Sequence, residues 1–216
     1  MGQRSQLYIR CRNKKTLVAM HLQWNWGEYM INRGYQLLDY IQKEASGDYS
    51  FFRREDGLSY DKEEAINSLH ALIQMNLTVG SYVGGHDLVK EARQWGDYTT
   101  GETFKIDPER QDNNNGILVI DVLEDGTIKY GFSGGGEETG DYDHFNMVTA
   151  AEYFNLGQKQ CREEQYLLKN RCKEMYDKVQ EQIKFIDDNF KLLTNEEYKD
   201  IFNTSYEYKN CMEVDQ

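Results

Sequence analysis

The segment Gly116–Phe132 reads GILVIDVLEDGTIKYGF and contains the clearest strand signal in the chain. Asp125-Gly126 favours the positive φ angles of a tight hairpin turn, so the apolar runs on either side predict two antiparallel strands. Residues 117–120 are apolar on both strand faces, which is typical of a central strand rather than an edge strand. The sheet of this protein is therefore predicted to form around this hairpin.

A second hairpin is predicted near the N-terminus. Side chains alternate between two faces over residues 7–12, and a β-prone run follows at residues 16–22 after a polar turn. This hairpin is a positively charged island, formed by Arg4, Arg10, Arg12, Lys14 and Lys15. We expect the island either to contact an acidic partner or to pair within the chain with the C-terminal helix.

Apolar residues at helical spacing predict a helix from about Gly27 to Ala45, with Gly34 positioned for close packing. A further helix is predicted over residues 61–76, and a short helical stretch over residues 88–95. The polar segment 96–115 is typical of a long loop.

Two capping boxes predict short helices nearer the C-terminus. Thr149 with Glu152 begins a helix that Gly157 ends. The second box, Thr194 with Glu197, begins a helix that buries Tyr198, Ile201 and Phe202.

Between these two helices the sequence predicts one long helix, from about Lys159 to Phe190. At about 1.5 Å per residue it would extend for about 45 Å, more than a small domain is wide. Its apolar stripe either packs on the sheet and the first helices or forms a dimer seam. The stripe consists of Leu168, Cys172, Met175, Val179, Ile183, Ile186 and Phe190.

Together these elements predict an α+β fold. A small antiparallel sheet is built from the two hairpins, helices lie on one face, and a long amphipathic helix follows at the C-terminus. We divide the chain into an α+β core domain, residues 1–157, and a helical segment, residues 158–216, which packs on the core or dimerises.

The chain of 216 residues carries 37 acidic and 25 basic side chains, a formal net charge of −12. Residues 1–60 hold nine basic and six acidic side chains, so the acidity belongs to residues 61–216. A negative field repels nucleic acid, which argues against a general DNA- or RNA-binding protein and favours a protein partner with a basic surface. No apolar run approaches the roughly 18 residues of a membrane helix, and no signal-peptide core begins the chain, so we expect a cytoplasmic protein.

Sixteen tyrosines bring the aromatic share to 13%, which indicates a folded chain despite its low apolar content. The four cysteines form no CxxC pair, so we interpret them as small hydrophobes rather than disulfide partners or zinc ligands. No GxSxG, HExxH or phosphate-loop motif is present, and the sequence gives no positive indication of an enzyme or a cofactor.

Two groups of acidic residues are candidate binding sites. One lies in the glycine-rich segment after the central hairpin, and the other lies near the end of the long helix. The candidates are Glu137, Glu138, Asp141, Asp143, Asp187 and Asp188. Asp141, Asp143 and His144 also have the ligand types of a divalent cation site, although a solvated acidic loop explains the same pattern.

Trp24 and Trp26 lie between the first hairpin and the first helix. Two residues apart, they project on the same side of a continued strand, either as core residues or as exposed binding anchors. The core role is the usual one for aromatic side chains, and the anchor role keeps both tryptophans among the candidate site residues.

The strings Gly2–Arg10 (GQRSQLYIR) and Gln23–Glu28 (QWNWGE) resemble the start of uncharacterised small proteins encoded by bacteriophages and mobile elements of Gram-positive bacteria. The resemblance covers roughly residues 1–40 and brings no catalytic residues with it. It implies a setting in which small acidic accessory proteins bind and block host defence machinery, as anti-CRISPR proteins do.

Three functional hypotheses follow. The leading one is a non-catalytic, phage-encoded inhibitor that binds the basic surface of a host nucleic-acid-handling complex, with its carboxylates placed where phosphates would lie. Such a protein binds no nucleic acid itself and needs no cofactor. The second is an enzyme or small-ligand binder that uses a metal ion or a nucleotide at residues 131–144. The third is a structural protein that forms a homodimer through the long helix.

Overall fold

The computed structural model describes residues 4–11, 16–23, 27–45, 86–87, 99–100, 103–106, 108, 116–134, 146–159 and 163–207. Six strands form the main sheet: β1 (Arg4–Cys11), β2 (Thr16–Gln23), β3 (His86–Asp87), β6 (Ile117–Val122), β7 (Ile128–Ser133) and β8 (Lys191–Leu192). Their order is β3-β2-β1-β6-β7-β8. A smaller sheet joins β4 (Thr99–Thr100), β5 (Thr103–Phe104) and β9 (Tyr206–Glu207) in that order.

The helices confirm the α+β class. They are α1 (Glu28–Ala45), α2 (Ala150–Lys159), α3 (Leu168–Arg171), α4 (Lys173–Asn189) and α5 (Asn195–Asn203), and a 3-10 turn, Glu164–Tyr166, precedes α3. The helices predicted over residues 61–76 and 88–95 lie outside the described residues. Within the predicted loop 96–115, β4 and β5 form a short antiparallel pair, so part of that segment is strand.

Both predicted hairpins are confirmed, but they join into a mixed sheet rather than the antiparallel sheet that we predicted. Strands within each hairpin are antiparallel, whereas β1 runs parallel to β6, with Gln6 opposite Ile117 and Arg10 opposite Asp121. A parallel pair needs a long crossover connection, and here the connection includes α1. All six residues of β6 are buried, as its apolar run predicts.

One side of the sheet, the first face, is covered by α1, α2 and α4. Leu7, Leu118 and Phe132 of the sheet meet Leu38 of α1 and other helix residues in one core. A Cβ atom at Gly34 would lie 3.1 Å from the Phe132 ring and 3.3 Å from Leu118. Glycine therefore lets α1 approach the sheet, as predicted.

The opposite side, the second face, is covered as well, which corrects our expectation of helices on one face only. Because residues 117–120 are apolar on both sides, each side needs a cover that excludes water. On the second face α5 and its neighbours provide it, beginning with the predicted capping box of Thr194 and Glu197. This core includes Tyr8, Leu17, Val119, Met147, Tyr198 and Ile201.

The single long helix predicted from Lys159 to Phe190 is wrong. The helix that begins at the first capping box continues through Gly157 to Lys159, and Cys172 then separates α3 from α4 with an extended φ of −155°. α4 has 17 residues and a length of about 26 Å. Leu168 of α3 joins Val179 and Ile183 of α4 in the first-face core. Val179, Ile183 and Ile186 of the stripe are buried within one chain, and Met175 packs partly buried against the same core, as the packing alternative predicts.

Candidate interaction surface

Of the predicted site residues, Asp187 and Asp188 lie within the described part of the chain. The others lie outside it, and their roles stay predictions: Trp24, Trp26, Glu137, Glu138, Asp141, Asp143 and His144. The strands that precede them are described and give the points at which these segments leave the sheet.

The last residues of β2 and β7 lie at the same end of the sheet, and in sequence they precede the tryptophan pair and the acidic segment (residues 135–145). β2 ends at Gln23, opposite the first residue of β1, and β7 ends at Ser133, opposite the first residue of β6. Because β1 and β6 are parallel, both strand ends lie on one side, three strand spacings or about 14 Å apart. The β1–β6 pairing thus brings together two attachment points that are distant in sequence.

The chain returns to the sheet directly after the acidic segment. Val148 forms an antiparallel bridge with Phe132 of β7, in which each residue donates its N–H to the other's carbonyl, at 2.7 and 3.0 Å. The Met147 side chain lies over Gly131, where a Cβ atom would come within 2.5 Å of the sulfur. Val148 is therefore attached to β7, and we call residues 146–151 the return segment.

Asp187 of α4 uses its carboxylate within the fold. Oδ1 accepts hydrogen bonds from the Tyr130 hydroxyl at 2.6 Å and from the Ala150 N–H at 3.0 Å, and Oδ2 accepts one from the Ala151 N–H at 3.1 Å. A carboxylate at a helix N-terminus accepts hydrogen bonds from free N–H groups and interacts favourably with the positive end of the helix dipole. Burial and the hydrogen bond to Asp187 both raise the pKa of the Tyr130 hydroxyl above its ordinary value. Asp187 thus holds the return segment against α4 and β7.

Asp188, the next residue, faces solvent and belongs to a row of exposed carboxylates along α4. Steps of three, four and seven residues keep the members on one side of the helix, over about 21 Å. Lys173 and Lys184 form ion pairs with two members, and the row consists of Glu174, Asp177, Glu181 and Asp188. We call it the carboxylate row.

Arg10 of the positively charged island is buried and forms ion pairs inside the fold. It is 3% exposed, and its guanidinium donates to both carboxylate oxygens of Asp121 at 3.0 and 2.8 Å. It also donates to Asp200 of α5 at 2.8 Å. Arg10 therefore pairs within the chain, but with β6 and the last short helix α5 rather than with the predicted long C-terminal helix.

Sequence reasoning missed Tyr29 and Tyr166, which are 54% and 58% exposed. Glu28, adjacent to Tyr29, forms an ion pair with Arg171, and the turn that contains Tyr166 lies just before α3. Tyrosine and arginine are typical of interface hot spots. No spacing or motif distinguishes these two tyrosines from the other fourteen, so exposure alone identifies them.

The chemistry of the described residues gives no further site. Within the described ranges, His, Cys, Asp and Glu side chains nowhere gather in the threes that a metal ion needs, and the predicted ligands lie outside these ranges. Cys172 is exposed, so its interpretation as a small hydrophobe is wrong. None of the described helices has both the length and the apolar character that crossing a membrane requires. No family model, curated protein or solved structure matches the chain.

Proposed function

We propose that this protein is a non-catalytic, phage-encoded inhibitor that binds the basic, nucleic-acid-binding surface of a host defence complex. The observation that carries the proposal is the carboxylate row on the solvent side of α4. Lys173 and Lys184 pair with Asp177 and Asp188, so Glu174 and Glu181 supply most of the negative charge of the row. Such charges attract a basic surface over distance and compete with nucleic acid for it. Nucleic-acid mimicry in the manner of anti-CRISPR proteins is the mechanism that we propose.

The acidic segment carries the other carboxylates that we propose for this surface. Its eleven residues include four carboxylates and no lysine or arginine. The row ends at Asp188, and the adjacent Asp187 binds the backbone of Ala150 and Ala151 in the return segment. The return segment, which follows the acidic segment in sequence, therefore lies beside one end of the row, and this contact supports the proposal.

Affinity purification from a bacterial lysate, with and without nuclease, tests the proposal when the captured protein is assayed for nucleic-acid binding. We expect the inhibitor to compete with nucleic acid and its affinity to fall as salt is added, because screening weakens exposed charge pairs. Captured proteins without a nucleic-acid-binding activity, or binding that does not respond to salt, would contradict the proposal.

Charge variants locate the surface. The row variant E174Q/E181Q/D188N removes three exposed charges from α4, and the control E163Q/E164Q/E196Q removes three exposed charges elsewhere. We expect the association rate with the captured partner to fall about tenfold for the row variant and much less for the control. Equal losses for both variants would show that total charge, rather than the row, determines binding.

A further inference from the structure

We propose that Tyr29 and Tyr166 form an aromatic docking surface that receives arginine side chains of a basic protein partner. Among the large apolar and aromatic side chains of the described residues, these two are the most exposed, at 54% and 58%, and Leu192 follows at 37%. The class of partner rests on the proposed function, and the inference adds the residues that anchor this partner and the side chain that they select. We call Tyr29 and Tyr166 the tyrosine pair.

The tyrosine pair lies where two helices that are distant in sequence meet. Glu28, the first residue of α1, forms an ion pair at 2.5 Å with Arg171, the last residue of α3. Tyr29 directly follows Glu28, and Tyr166 ends the 3-10 turn that leads into α3. The ion pair therefore holds both tyrosines at one junction of α1 and α3, and both side chains are exposed there.

The turn that carries Tyr166 is ordered by its own hydrogen bonds. The Tyr166 N–H donates to the Glu163 carbonyl at 3.0 Å, and the Asn170 side chain donates to the Glu164 carbonyl at 2.6 Å. Leu168, which is 1% exposed, holds the turn on the first-face core. A tyrosine side chain on a turn that is already fixed loses little further conformational freedom when a partner binds. Tyr166 is therefore suited to act as an anchor.

The charges around the tyrosine pair favour a cationic partner. Over residues 163–174, ion pairs neutralise Arg171 and Lys173. The exposed charges that remain in this range are three carboxylates and one ammonium, those of Glu163, Glu164, Glu174 and Lys169. A cation is attracted to the face of an aromatic ring, and arginine binds there more often than lysine because its planar guanidinium stacks on the ring. A carboxylate beside the ring adds paired hydrogen bonds that suit the same guanidinium.

The tyrosine pair and the carboxylate row have separate tasks at one surface. Glu174, the first member of the row, lies in the first turn of α4, three residues after Arg171. The charges of the row act over distance and attract lysine and arginine alike, whereas the rings act only at contact. Charge should therefore determine how tightly any basic partner binds, and the tyrosine pair should determine the preference for arginine over lysine.

The test measures binding of oligo-arginine and oligo-lysine peptides of equal length by isothermal titration calorimetry. Y29L/Y166L removes both rings but keeps apolar side chains, Y29F/Y166F keeps the rings, and L192A removes an exposed apolar side chain from β8. We expect the wild type to prefer oligo-arginine. Y29L/Y166L should bind oligo-arginine about fivefold more weakly and oligo-lysine within about twofold of the wild type, from the usual strength of two exposed cation–π contacts. Y29F/Y166F and L192A should stay within about twofold for both peptides.

Both rings are more than half exposed, so the leucine variants should keep the wild-type melting temperature. If Y29L/Y166L unfolds, the single variant Y166L decides, with an expected loss of about twofold to threefold for oligo-arginine. Wild-type affinity for oligo-arginine in the folded leucine variant, or an equal loss in L192A, overturns the proposal. Equal losses for the two peptides overturn the selection of arginine.

Two further outcomes separate this inference from other occupants and from the proposed function. A wild-type dimer in light scattering that Y29L/Y166L converts to a monomer overturns the inference, because a second copy then covers the tyrosine pair. Unchanged binding of both peptides by the row variant E174Q/E181Q/D188N counts against the proposed function, while the leucine variants still decide the role of the tyrosine pair. Failure of the wild type to bind either peptide overturns both.

Discussion

Replacement of Arg10 by methionine should be the most destabilising single change among the ion pairs in the described part of the chain. Asp121, its partner in the adjacent strand, is fully buried, and Asp200 is 60% exposed. Burial of Arg10 opposes its charged form, but the hydrogen bonds to Asp121 and Asp200 and the charge of Asp121 outweigh burial and raise the pKa of the guanidinium. R10M removes the cation that donates to both oxygens of the buried Asp121 carboxylate.

The two ion pairs of Arg10, with Asp121 and with Asp200, should contribute very different amounts to the free energy of unfolding. Removal of one partner from a buried ion pair costs about 3–5 kcal/mol, because the remaining charge is stranded away from water. Asp200 is largely solvated, so D200N should cost only about 0–1 kcal/mol. The double variant R10M/D121L replaces the buried pair by apolar side chains and should recover most of the loss, since desolvation offsets much of the attraction in a buried pair.

Urea unfolding followed by circular dichroism measures these differences, with the free energy of unfolding taken from the midpoint at constant slope. We expect the order wild type, D200N, R10M/D121L and R10M, from most to least stable. A loss for R10M within about 1 kcal/mol of that for D200N would refute the reasoning, because it would mean that Asp121 reaches water or another cation. A double variant no more stable than R10M would refute it as well.

Three further predictions concern the return segment and the buried tyrosines. D187A should cost about 2 kcal/mol because it frees two backbone N–H groups and a hydroxyl, whereas D188A next to it should cost at most about 0.5 kcal/mol in the same urea assay. G131A should cost about 1–3 kcal/mol through overpacking against Met147, and in a double-mutant cycle with M147A the two losses should be less than additive. Burial raises the pKa of Tyr153, so its contribution to stability is complete below pH about 10 and is lost as pH rises above that value. The free energy of unfolding in urea should therefore fall less steeply with pH above about 10 in Y153F than in the wild type. An identical pH dependence in the two proteins would contradict this prediction.

The elements that the sequence predicts correctly are those whose information is local. Asp125-Gly126 requires a positive φ, and Gly126 has a φ of +85° in the turn between β6 and β7. Capping boxes bond within four residues, so Thr149 and Thr194 mark the beginnings of α2 and α5 without knowledge of the rest of the chain. Helix α1 follows in the same way from its apolar period.

Features that depend on contacts between residues distant in sequence cannot be predicted from such local patterns. An apolar period shows which side of a helix is buried, but it continues unchanged through Cys172, where the helix breaks. Alternation shows which residues of β1 share a face, but it does not show that β1 pairs with β6 and in which direction. The apolar run of β6 could have predicted the cover on the second face, because a strand buried on both sides requires cover on both faces of the sheet.

The candidate surface has the same limit, which Asp187 and Asp188 illustrate. The two aspartates are identical in type and adjacent in sequence, so composition and charge counting treat them alike. A helix turns by about 100° per residue, and this step directs one carboxylate to Tyr130 and the return segment while the other faces solvent. Arg10 shows the same effect for positive charge, since Asp121 and Asp200 remove it from the surface. The charges that a partner meets are thus those that are not paired inside the fold. Helix phase and strand register decide which residues are paired.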